Sequence, residues 1–289
     1  MTGQFSDQFR LSITEALSTQ LYAALDRLEP APLSQENLDS LAPLAERLGL
    51  PGKGVYQIFR QEPGKGRELA YVGKADEPLP DRLGRHLYKL SGREGVSIEE
   101  ISFSCLFVEE DLSSVSPEKM LIQRHLESSN IVWNNRGFGN NDPGRNRDRT
   151  AIKSTHFDLE FPIDLSRKVD GLTSGAQTLH SVLGEIKRGI PFNFRFKHSA
   201  AFKRRMVTVP EGDMTVDEAF RFVALHLTGK WQICALLGWA IMYDDSPSEY
   251  PSARRYYRPE GVLDQAPKTR EPGRSDVRDE VDEDSDSDE

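Results

Sequence analysis

A chain of 289 residues, 37% hydrophobic and 29% charged, is long enough for one large domain or two modest ones and has the composition of a soluble globular protein. No apolar run approaches the ~20 residues of a bilayer span, and the opening MTGQFSDQFR lacks the charged-then-apolar order of a secretory signal, so no membrane partner and a cytoplasmic location are expected. The formal net charge of -9 is concentrated: Asp276 to Glu289 carry nine acids against Arg278, which leaves a near-neutral body compatible with nucleic-acid binding.

In chain order, residues 12–28 read as a helix, with Ser12 and Glu15 in capping-box spacing and Leu17, Leu21, Leu25 and Leu28 at helical intervals. Ser34 opens a second helix with Leu38, Leu41, Leu44 and Leu48 on one face, Gly49 as its stop, and Pro43 as a point of kinking or splitting. Two short β-type runs follow, GVYQIFR (54–60) and ELAYVGK (68–74). The turn residues QEPGKGR between them predict an antiparallel hairpin.

A helix is predicted from about Pro80 to Ser91. Leu79, Leu83, Leu87 and Leu90 form its apolar stripe, and Arg82, Arg85, His86 and Lys89 its polar face. ISFSCLFV (101–108) reads as a third strand. Ser116 and Pro117 then supply the N-cap and first turn of a helix to about Ser128. Cys105 and Cys234 sit in apolar stretches without metal-like spacing and are expected to be buried free thiols.

Beyond Thr150 the texture changes. Ser174 and Gln177 resemble a capping box for a helix bearing Leu179, Val182, Leu183 and Ile186 and ending at Gly189. Strands are expected at 190–196 and 206–209, a helix capped by Thr215 and Glu218, and a hairpin of 231–236 and 238–243 around Gly238. This order predicts a small α+β domain. After Glu260 the Pro-, Arg- and acid-rich chain is expected to be disordered.

The residues that carry chemistry lie between Gly54 and Arg149. An Arg and a His one helical turn apart can present a cation and a proton acceptor to one phosphate. Two tyrosines on neighbouring strands add hydroxyls, and a phenol, with an ordinary pKa near ~10, becomes a base only where a neighbour such as His shares its proton. Glu118 would share a helix face with Leu121, Ile122 and His125, and a carboxylate turned toward a core needs a partner such as a divalent metal. Together these are parts for metal-assisted phosphodiester hydrolysis.

The order of these residues resembles the GIY-YIG nuclease superfamily over roughly residues 50–150. GVY at 54–56 and YVG at 71–73 match its two name motifs, Arg82 and His86 its helix motif, Glu118 its metal-binding glutamate and Asn134 its late asparagine. YVGKA (71–75), WN (133–134) and GFGNNDPGRNR (137–147) are similar to the branch of Type II restriction endonucleases that cleave CCGCGG.

The resemblance implies an α+β fold in which a nuclease core, a small antiparallel or mixed sheet flanked by helices, occupies 51–164. A helical segment (1–50) precedes it, and an accessory α+β domain (165–258) and an acidic tail (259–289) follow. It implies Tyr56 as general base relayed by His86, Glu118 holding Mg²⁺ (with Mn²⁺ as substitute), Arg82 stabilising the phosphate, Tyr71 positioning phosphate or water, and Asn134 orienting its neighbours. The first motif departs by carrying Val55 where Ile is commoner, and the long C-terminal addition is absent from compact members.

The loop Arg136 to Arg149 is the expected DNA-reading element. Arg136, Asn140, Asn141, Arg145 and Arg147 are its candidate contacts, with Lys74, Arg85 and Lys89 beside them. A GC-rich palindromic duplex as substrate favours a homodimer, with a cognate DNA methyltransferase as functional partner. Two alternatives stay open: a GIY-YIG nuclease of repair, recombination or mobile elements, and a catalytically inactive DNA-binding protein. The basic residues Lys187, Arg188, Arg195, Lys197, His198, Lys203, Arg204 and Arg205 could contact a DNA backbone, form a solvated face or belong to a dimerisation module.

Overall fold

The computed structural model describes residues 13–62, 64–108, 133–139 and 145–271. The capping residue Ser12, the Ser116–Ser128 segment with Glu118, the loop residues Asn140 and Asn141, and the tail from Pro272 lie outside the described residues. The secondary structure is mixed, α+β, with helices and several separate sheets. No helix among the described residues is long and apolar enough to cross a membrane. The chain forms two compact units, Met1–Gly84 with Glu99–Asn134, and Arg85–Ile98 with Asn135–Glu289.

In the first unit helix α1 (Ile13–Leu25) is followed by a two-residue strand β1 (Ala31–Pro32). The next helical stretch is split into α2 (Gln35–Asp39) and α3 (Leu41–Leu48). The break falls at Ser40 and not at Pro43, which is tolerated in the first turn of α3, where its missing N–H has no intrahelical partner to lose. Ser34 caps α2 by accepting from the Asn37 N–H at 3.3 Å, and Gly49 ends α3 at φ +69°. Leu48, expected on the apolar face, is instead 54% exposed, and Ala45 takes the buried place.

The sheet of this unit has the order β1-β4-β2-β3 and is antiparallel throughout, with β2 (Gly54–Gln61), β3 (Arg67–Ala75) and β4 (Ile101–Phe107). Because side chains alternate along a strand, Val55 and Val72 face one way and pack with Leu25, Leu21 and Tyr22 of α1. Tyr56, Ile58, Tyr71 and Gly73 face the other way. Gly54 is required by packing: a Cβ there would stand 1.9 Å from the Leu106 carbonyl oxygen. Helix α4 (Leu79–Ser91) follows β3, its start tied by the Leu79 N–H donating to the Gly52 carbonyl at 2.8 Å.

The second unit holds α5 (Arg145–Asp148), β5 (Ile152–Lys153) and α6 (Phe157–Glu160). Next come β6 (Gly175–Thr178), α7 (Leu179–Gly189), β7 (Phe194–Phe196), α8 (Ala200–Arg204), β8 (Met206–Val209) and α9 (Val216–Leu225). The chain continues with β9 (Trp231–Leu236), β10 (Ala240–Asp244), β11 (Ala253–Arg258), β12 (Gly261–Asp264) and β13 (Thr269–Arg270). A five-stranded sheet runs β12-β11-β9-β10-β7, parallel only between β10 and β7. Ile233, Ala235, Ala240 and Met242 face a core with Val182, Leu183, Ile186, Phe220 and Val223 of α7 and α9. Cys234, Leu236 and Ile241 face a smaller cluster around Trp239, Tyr250 and Tyr256.

Three expectations are corrected here. Helix α7 is capped by Thr178, which accepts from the Ser181 N–H; Ser174 is not its cap, because 175–178 are drawn into pairing with β8. The strand expected at 190–196 is only Phe194–Phe196. The chain beyond Glu260 is ordered for ten residues more, as β12 pairs with β11 and β13 pairs with β5. The Thr215–Glu218 capping box forms with both reciprocal bonds. Both cysteines are free thiols; Cys234 is buried and Cys105 only partly so, and burial pushes the Cys105 thiol up to about 12.

Candidate active site

The hairpin β2–β3 sets the geometry of the first cluster. Tyr56 pairs across the strands with Gly73, the last residue of YVG. A Cβ at Gly73 would lie 2.4 Å from both Cζ and Oη of Tyr56 and 2.8 Å from Cε1 of Tyr71. Glycine therefore lets the Tyr56 phenol lie across β3 beside the Tyr71 ring, with the centroids 6.0 Å apart. Both rings are out of solvent, Tyr56 completely.

Leu79 and Leu83, each fully buried, seat the first turns of α4, and the intervening Arg82 then points at the hairpin. Its Nε donates to Tyr56 Oη at 3.1 Å. The phenol oxygen accepts from a permanent cation, so its own hydrogen is left to be given to another acceptor, and a phenolate formed there would sit against positive charge.

Asn134 completes this cluster through backbone. Strand β3 is an edge strand, and its outward N–H and C=O at Val72 would otherwise be unpaired. The Asn134 amide satisfies both: Oδ1 accepts from the Val72 N–H at 2.9 Å and Nδ2 donates to its carbonyl at 2.7 Å. The Trp133 N–H adds a bond to the Ala70 carbonyl at 3.0 Å. WN thus braces the strand that carries Tyr71 and Gly73.

A second cluster, within the C-terminal unit, contains His86. On the polar face of α4, His86 is only 4% exposed, and its ring stacks on Phe138 at 5.0 Å and 17°. Lys89 donates to the Phe138 carbonyl at 2.6 Å and lies 5.1 Å over its ring. Gly137, at φ +73°, has no room for a side chain, since a Cβ would meet His156 Nε2 at 2.3 Å. His156 caps α6 by accepting from the Asp158 N–H at 3.1 Å. Burial pushes its imidazole down to about 4, against the pull of Asp158 and aided by Arg147, Lys89 and Arg93. Burial would raise the Asp158 carboxyl, but Arg93 first, then Lys89, His156 and Arg147, outweigh it and hold it at about 2.

The other basic candidates are placed as follows. Lys74 pairs with Asp76 at 2.7 Å, Arg136 with Glu160 at 2.6 Å, and Arg85 is exposed. Arg147 meets His156 Nε2 at 2.7 Å and lies over the Trp239 ring. Arg145 opens α5, and the last residue of that helix, Asp148, is buried among Trp239 Nε1 at 2.8 Å, Tyr243 Oη at 3.2 Å and Arg195. Among the described residues no group of three or more His, Cys, Asp or Glu is placed to hold a metal ion. Glu118, the carboxylate assigned to the metal, lies outside them.

The packing roles of Phe138 and Gly73 and the Arg82–Tyr56 bond are not legible in the sequence. The only signal was the unusual density of Gly and aromatic residues in GFG and YVG. Comparison of the chain with protein-family models and with curated proteins gives no match.

Proposed function

We propose that this chain is a metal-dependent, sequence-specific endonuclease of double-stranded DNA, of restriction type, built on a GIY-YIG core. The observation that carries the reading is the Arg82 Nε to Tyr56 Oη bond over Gly73, with Asn134 bracing the same strand. Four residues that the motif order picks out converge in one unit although they span nearly eighty positions of sequence.

The chemistry asked of them is modest. Water oxygen bonds to phosphorus, the bond to the 3′ oxygen breaks, and the products are a 5′-phosphate and a 3′-hydroxyl. Tyr56 takes the proton of the attacking water once its own has passed to His86, and Arg82 holds the phenolate and the phosphoryl charge that develops. Mg²⁺ keeps most of its waters and asks for one or two carboxylates, so Glu118 alone is a chemically sufficient protein ligand for it. When bound it supplies a Lewis acid for the phosphoryl oxygens. A homodimer would cut both strands of a palindrome, and a methyltransferase would protect the host copy.

Incubation of supercoiled plasmid with Mg²⁺, beside Tyr56→Phe and Glu118→Ala, tests the reading. Discrete fragments from the parent alone support it. The complete burial of Tyr56 favours a second reading, a DNA-binding protein that does not cut. Retention of DNA with no cutting in any divalent metal would establish that one.

A further inference from the structure

Several cations of the C-terminal unit are already neutralised. Arg93, Arg136, Lys168, Arg195, Arg221, Arg254, Arg255 and Lys268 each pair with a carboxylate. Lys187 and Arg188, in the last turn of α7, are exposed and make no ion pair among the described residues. Their surroundings are aromatic. Lys187 Nζ lies 6.0 Å over the Phe196 ring, Phe196 meets His198 edge-on at 5.1 Å, and His198 meets His180 at 5.4 Å. His180, Gly184 and Lys187 stand at i, i+4 and i+7 on one face of α7, and the Arg188 guanidinium reaches back to 3.4 Å from where a Gly184 Cβ would be.

These contacts make one continuous strip: three rings, two carboxylate-free cations and a bare glycine between them. His180 Nδ1 is buried with no hydrogen-bond partner. A strip of this kind offers charge to phosphates and flat rings beside them, while Glu185 of the same helix is engaged by the Thr173 N–H at 3.0 Å and the Gln177 amide at 3.3 Å.

We propose that this strip is a docking surface for the phosphodiester backbone of duplex DNA, separate from the tyrosine cluster. It rests on the reading of the chain as a DNA enzyme and adds a place where affinity is generated. The two cations would neutralise two phosphates, and each neutralised phosphate contributes about -0.9 to the slope of log affinity against log salt.

The test is fluorescence-anisotropy binding of the full chain to a labelled 30-base-pair duplex, without divalent metal, across a salt series. Lys187→Ala/Arg188→Ala should lower affinity about tenfold at 100 mM salt and flatten the slope by about 2. Gly184→Glu, where only the flexible end of Arg188 is near, should weaken binding with the helical circular dichroism unchanged. Parental affinity and slope in both variants overturns the proposal, as does binding of the parent to phosphatidylserine vesicles but not to DNA. Failure of the parent to cut plasmid in Mg²⁺ while these binding losses occur would overturn the nuclease reading and leave the strip standing.

Discussion

Tyr56 is the residue on which the proposed chemistry turns, and its neighbours define two tests. Tyr56→Phe removes the acceptor of the Arg82 Nε bond and the proposed base together. Cleavage should fall at least ~100-fold, the usual scale for loss of a general base. Metal-free DNA affinity should be unchanged, because the phenol is fully buried. Gly73→Ala should be worse for the fold than its size suggests. The new methyl would overlap the Tyr56 phenol at 2.4 Å, so the ring must leave its place or the strand must shift. Overpacking of this kind costs ~1–3 kcal/mol, readable as a lower urea midpoint. That glycine was legible as part of a motif, whereas its reason was not: nothing in YVG says that a ring from another strand lies across it.

His156 carries a pH dependence with a definite sign. Its folded pKa, about 4, lies below its ordinary value of 6.5, so the unfolded chain binds the extra proton first. Stability is therefore full above pH 6.5 and is lost as pH falls toward 4. Asp158, held at about 2 against 3.8, continues the loss below that window. The His156 part amounts to ~3 kcal/mol. His156→Gln keeps an acceptor for the α6 cap but cannot titrate, so its melting temperature should be flatter than the parent's between pH 7 and 4. Parallel curves would contradict the assignment.

Elements set by local signals are legible in the sequence, and those set by distant partners are not. The β2–β3 hairpin, the Ser34 and Thr215 caps and the Gly49 stop are local signals, and each forms as local chemistry dictates. Burial of His86 was not legible, because the ring that covers it comes from Phe138, fifty-two positions on. Similarly, Ser174 looked as good a cap as Thr178 until β8 claimed residues 175–178 for pairing. Strands β12 and β13 hide in polar, Pro-containing sequence because each is short and needs only one neighbour.

Edge strand β3 gives an element-scale prediction. Asn134→Ala strips partners from both polar groups of Val72, at ~1–3 kcal/mol for groups left without them. Hydrogen exchange at the Val72 amide should quicken far more than at Val55, which is held by β4. Equal protection at both sites in the variant would show that Asn134 does not brace the strand.

On the scale of the molecule, the net charge of -9 conceals a near-neutral body with unpaired cations on α7 and an acidic C-terminal stretch. If that stretch competes with DNA for the basic surface, truncation at Pro272 should raise nonspecific DNA affinity at low salt, and unchanged binding would sink the idea. Fold class was legible from the alternation of helical and strand patterns. The proposed chemistry rests on an order of residues, of which contacts join Tyr56, Arg82, Asn134 and the YVG strand within one unit. The most direct test of the central claim is digestion of a plasmid of known sequence with the full chain and Mg²⁺, alongside Glu118→Ala. Discrete fragments whose ends map to one GC-rich palindrome, lost in the variant, are the predicted result; an intact plasmid across Mg²⁺, Mn²⁺ and other divalent metals would contradict it.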